Sequence, residues 1–63
     1  MSFQVVAPAT GEVRAILGDK KSDREMAETL ADEFMWATGQ TFIVVQGKHV
    51  YTARPPTPEK IGF

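Results

Sequence analysis

The sequence contains no cysteine and a single histidine, His49. The first absence excludes disulfides and cysteine-ligated zinc as sources of stability. The second leaves no histidine cluster to hold a metal or run a proton relay. Serine is scarce too: Ser2 and Ser22 are the only ones, and neither has the neighbouring base that an activated nucleophile needs. No apolar run approaches the ~20 residues of a membrane span. Met1-Ser2-Phe3-Gln4 also lacks the basic start and continuous apolar stretch of a signal peptide, so the expected compartment is the cytoplasm. An excess of charge of one sign is missing as well. Seven Lys+Arg against eight Asp+Glu give a formal charge of -1, which supplies no global attraction to nucleic acid or membrane. These absences together predict no catalytic residues, no metal site and no cofactor.

What remains is a 63-residue chain that is 43% hydrophobic and 24% charged, an ordinary globular composition. A domain this small buries only about 60% of its unfolded surface, so its stability depends on a well-made core or on a partner.

The first segment reads as a β-hairpin. Phe3, Val5 and Ala7 alternate with Gln4, Val6 and Pro8; after Ala9-Thr10-Gly11, Val13, Ala15 and Leu17 alternate with Arg14 and Ile16. A three-residue loop ending at Gly11 pairs Ala7 with Val13, Val5 with Ala15 and Phe3 with Leu17, which puts six apolar residues on one face. Ser22-Asp23-Arg24-Glu25 then fits a capping box. Met26, Ala27, Leu30, Ala31, Phe34 and Met35 recur at helical spacing, which predicts a helix from Asp23 to Thr38 ended by Gly39. Met26, Leu30 and Phe34 are its expected core residues. Thr41–Val45 and His49–Ala53 are β-branched and apolar around Gln46-Gly47-Lys48, the signature of a second hairpin with Gly47 in a two-residue loop. That register puts Ile43, Val45, Val50, Thr52 and Arg54 on one face and Phe42, Val44, Gln46, His49, Tyr51 and Ala53 on the other. Both faces are apolar, so either could be the buried one.

The expected architecture is an α+β domain of order ββαββ spanning residues 1–54, with a four-stranded antiparallel sheet and one helix packed on one face. A proline-rich tail, 55–63, follows. Proline lacks the amide that a central strand needs, so Pro55-Pro56-Thr57-Pro58 ends the sheet and is expected to run as polyproline II.

Between Asp23 and Glu33 five acids stand against one base, Arg24, or about -4; the rest of the chain has three acids and six bases, or about +3. The helix is therefore an acidic side on a mildly basic body. The candidate partner-binding residues are Glu25, Glu28, Asp32 and Glu33 on the helix, with Trp36 one turn beyond Asp32, and Phe42 and Tyr51 on the sheet if the partner meets its open face instead. Trp36 lies about 200° around the helix from Phe34, away from the middle of the apolar stripe. A tryptophan ringed by acids suits a protein partner with a basic surface, whereas a merely solvated face is the bland alternative. The second functional reading is nucleic-acid binding on the open sheet face, with Phe42 or Tyr51 stacking on bases and Arg14, Lys48, His49 and Arg54 contacting phosphates. One helix covers only one side of a sheet, so an apolar face is left over, and homodimerisation through it is a third possibility.

The stretch from Glu28 to Ile43, Glu28-Thr29-Leu30-Ala31-Asp32-Glu33-Phe34-Met35-Trp36-Ala37-Thr38-Gly39-Gln40-Thr41-Phe42-Ile43, resembles part of the small podophage inhibitors of bacterial RNA polymerase. There too an acidic helix with a late tryptophan passes through a glycine loop into a strand. The resemblance implies a small phage or mobile-element protein that binds and blocks a cytoplasmic host protein, and it assigns no individual residue a role.

Overall fold

Alternation, capping and turn chemistry produce the expected element order in the computed structural model, in which residues 1–56 are described. The elements are β1 (Gln4–Ala7), β2 (Glu12–Ile16), α1 (Lys21–Thr38), β3 (Phe42–Val45) and β4 (His49–Ala53). The strands form one antiparallel sheet in the order β2-β1-β3-β4. Since β2 and β3 are both antiparallel to β1, they run the same way on either side of it. The helix is therefore the crossover that carries the chain from one edge, over β1, to the third strand. Of the expected tail, Pro55 and Pro56 are in neither helix nor strand, and residues 57–63, with Pro58, Ile61 and Phe63, lie outside the described residues.

The core is built from alternate strand residues and the inner stripe of α1. Phe3, Val5, Ala7, Phe42, Val44 and Ala53 meet Ala27, Ala31 and Met35, with Ala15, Leu17, Leu30, Phe34, Val50 and Tyr51 packed around them. The ambiguous second hairpin thus turns Phe42, Val44, Tyr51 and Ala53 toward the helix. The inner stripe also differs from expectation. Met26 is 58% exposed, and the fully buried helix positions are Ala27 and Ala31. Their methyl side chains let the helix backbone approach the sheet closely, which turns Met26 outward and leaves Leu30 and Phe34 at the side of the stripe. The helix begins two residues before the expected start, with Lys20 rather than Ser22 at the cap position. Asp23 accepts the Lys20 backbone N–H at 3.1 Å, so the reciprocal half of a capping box is made by Asp23 and not Glu25. Gly39 ends the helix as expected, at φ 73, donating its N–H to Met35 O at 2.7 Å.

Both hairpins carry a bulge that the alternation could not reveal. At the first turn the loop has four residues, with Gly11 at φ 74 and its N–H on Ala7 O at 2.7 Å, so Ala7 pairs with Glu12 and Val6 with Val13. A register shift between Val5 and Val6 restores the expected Val5–Ala15 pair. Val13 is thereby moved from the helix side to the open side, and Arg14 takes the helix side. Its guanidinium lies 5.8 Å from the Phe34 ring centroid and 6.0 Å from that of Phe42, and it pairs with Glu12 at 2.7 Å. In the second hairpin Ile43–Thr52 and Val44–Tyr51 pair as expected, but a shift beyond Val44 pairs Val45 with His49 across a three-residue loop. His49 therefore joins the open face, while Val50 packs against the core.

Candidate protein-interaction surfaces

Two surfaces remain after the core is closed: the outer face of α1 and the sheet face without a helix. On α1, a residue advance of 100° puts Trp36 about 180° from Ala27 and about 140° from Ala31, at the pole opposite the buried stripe. Its side chain is 69% exposed. Asp32 and Glu33 lie about one turn before it, on either side of its line along the helix, and Glu25 lies about three turns before it close to that line. An exposed indole at this position sacrifices apolar burial without packing in return, which is uncommon unless another surface covers it.

The acids around Trp36 are not equivalent. Asp32 accepts a hydrogen bond from the Tyr51 hydroxyl at 2.8 Å and so ties the helix to edge strand β4. Glu28 accepts from Arg24 Nε at 3.1 Å. The i,i+4 pair Glu28 and Asp32 is therefore divided between two internal partners. Glu25 and Glu33 are exposed and make no ion pair among the described residues. The hydrogen bond to Asp32, then burial, then the negative charges of Asp32 and Glu28 push the Tyr51 hydroxyl above its ordinary value. A raised tyrosine favours the folded state below the unfolded value of about 10, and the gain is lost as pH rises through the folded value. Tyr51→Phe is expected to lower stability by about 1 kcal/mol at neutral pH. It should also flatten the loss of stability above pH ~10 in melts followed by circular dichroism.

Both the nucleic-acid reading and the use of Phe42 and Tyr51 as partner-binding residues required these side chains on the open sheet face, and the structure overturns that placement. Phe42 is 1% exposed, and Tyr51 faces the helix with its hydroxyl on Asp32. The cause is the face choice of the second hairpin, set by Phe42 packing on Phe34 at a centroid distance of 5.5 Å. Arg14 is likewise withdrawn to the helix side.

The open face consists of two rows that cross all four strands. Val13, Val6, Ile43 and Thr52 form one; Ile16, Gln4, Val45 and His49 form the other. Val6, Ile43 and Val45 are half-buried by their neighbours, while Val13 and Ile16 on the edge are exposed. His49 is hydrogen-bonded to Thr52 on this face. At the end near Gly47 a groove of about 580 Å³ is lined by Met1, Ser2, Gln4, Ile16, Val45, Gly47, Lys48 and His49. The alternation hinted at a leftover apolar face, but the roles of Val13 and His49 in it depend on the two bulges. Among the described residues no helix is long and apolar enough to cross a membrane, and no three His, Asp or Glu side chains converge as a metal-binding group. No protein family, curated protein or solved structure matches the chain.

Proposed function

We propose that this domain is a non-enzymatic protein-binding module that presents the outer face of α1 to a basic surface on another protein, as an inhibitor or adaptor. The observation that carries this reading is the 69% exposure of Trp36 at the pole of an acidic helix. A large rigid aromatic in the last turn, next to a face of like charges, supplies the ingredients of a desolvated contact with a charged border. Complementary charge speeds encounter, and burial of the indole slows dissociation. The resemblance of Glu28–Ile43 to phage-encoded inhibitors of RNA polymerase points the same way, toward a host protein in the cytoplasm whose basic surface is blocked.

The test is a pull-down from lysate with and without nuclease, followed by titration of the captured protein. A stoichiometric protein that survives nuclease supports the reading, and loss of all retention after nuclease defeats it. Glu25→Lys with Glu33→Lys is the informative charge reversal, because these side chains have no ion-pair partner to lose among the described residues. Affinity is expected to fall roughly tenfold at low salt and its salt dependence to weaken. Reversal at Asp32 would be ambiguous, since it also breaks the bond to Tyr51.

A further inference from the structure

The open sheet face differs from the helix face in every property that selects a partner. Its strand residues are Gln4, Val6, Val13, Ile16, Ile43, Val45, His49 and Thr52. None is acidic, and His49 carries the one aromatic ring. Glu12, the one strand carboxylate, shares the face of its partner Ala7, which is buried beneath the helix, and is paired with Arg14. Among the described residues the charged side chain on the rim of the groove is Lys48, and the exposed Arg54 follows directly after β4. The groove of about 580 Å³ combines Ile16 and Val45 with the Gln4 amide, His49 and the Lys48 ammonium. It lies within the usual size range of ligand-binding clefts.

We propose that this face is a second docking surface, whose occupant is a partner's amphipathic segment with aliphatic side chains bordered by carboxylates. The aliphatic band requires apolar side chains without specific polar pairing. His49 is the one aromatic ring on the strands of this face, and it is tied to Thr52 by a hydrogen bond, so no row of aromatic side chains is offered on which successive nucleic-acid bases would stack. Lys48 and Arg54 then complement acids at the border of the segment, and the Gln4 amide offers a neutral polar contact inside the groove. A second copy of the same face would bring Lys48 and Arg54 with it and no strand carboxylate to meet them, so charge complementarity favours a foreign acidic segment over face-to-face self-association. The surface is independent of Trp36, which projects from the other side of the molecule.

The experiment uses fluorescence anisotropy with two labelled synthetic amphipathic peptides. Both carry the same leucine stripe, one with glutamate and the other with lysine at every polar position. The intact protein is expected to bind the glutamate peptide at least about tenfold more tightly than the lysine peptide. Lys48→Glu, in an exposed turn, should weaken the glutamate peptide by about fivefold while keeping the melting curve. Val45→Asp should abolish binding, and Trp36→Ala should leave it unchanged, which separates this surface from the helix face. Equal binding of the two peptides by the protein carrying Trp36→Ala with Glu25→Lys and Glu33→Lys, in which the helix face can no longer hold the lysine peptide, or binding of neither, overturns the proposal. So does displacement of the glutamate peptide by a single-stranded oligonucleotide, or light scattering that shows a dimer dissociated by Val45→Asp.

Discussion

Phe42→Ala is expected to leave almost no folded protein at room temperature. Phe42 is 1% exposed, among the largest fully buried side chains, and its ring packs 5.5 Å from that of Phe34 with the Arg14 guanidinium 6.0 Å away. Truncating a buried phenylalanine costs about 3–5 kcal/mol through lost transfer energy and the cavity left behind. A single core of this size supplies about 3–5 kcal/mol in all, so the variant has little margin left. The cavity would open between α1 and β3, so the helix would lose its main contact with the sheet. Circular dichroism should show a featureless thermal scan where the parent shows a cooperative transition. Met26→Ala is the control, because Met26 is 58% exposed despite its place in the helical pattern; its melting curve should move little. A cooperative, parent-like melt for Phe42→Ala would mean that the second hairpin buries its other face.

Trp36→Ala is expected to have the opposite signature: an unchanged melting curve and a large loss of binding to the partner of the helix face. The indole makes no hydrogen bond among the described residues and lies opposite the buried stripe, so its removal leaves no cavity in the core. At the centre of an interface, a tryptophan typically carries about 2 kcal/mol or more, equivalent to about a thirtyfold weaker dissociation constant. The loss should fall mainly on the dissociation rate, whereas the Glu25 and Glu33 reversals should fall mainly on association. Stopped-flow or surface-based kinetics with the captured protein separate the two. An unaltered affinity would remove Trp36 as the anchor, and a collapsed melt would reassign it to the fold.

Much of the architecture follows from local pattern. The period of two in Phe3–Ala7, the β-branched apolar run Phe42–Val45, the helical recurrence through Ala27, Ala31 and Met35, and the positive-φ Gly11, Gly39 and Gly47 each specify their element without reference to the rest of the chain. The helical period alone also places Trp36 away from Phe34, but it left open whether the indole folds over the sheet edge or stands in solvent, and the structure leaves it exposed. The acidic character of the face is legible from the same period. What neighbouring residues could not specify was how the acids are used: Asp32 is occupied by Tyr51 from another element, while Glu33 beside it is left to solvent.

The choice of face in the second hairpin was undecidable from pattern because Phe42, Val44 and Tyr51 compete with Ile43, Val45 and Val50 on nearly equal terms. Only the fit of Phe42 against Phe34 and of Val44 against Val5 distinguishes them. The helix stripe was broad enough for several rotations, and the small volumes of Ala27 and Ala31 against the sheet selected the one that exposes Met26. Strand order and both bulges likewise belong to tertiary structure. The β1–β3 pairing joins segments separated by the whole helix, and a one-residue shift in register reverses the face of every residue beyond it. Sequence by itself therefore determined the elements, their order and the sign of the helix surface, since these depend on residues close along the chain. Tertiary structure decided which apolar face is buried, which acids remain unpaired, and that Val13 and His49 complete the open sheet, because each of these depends on a contact between distant segments.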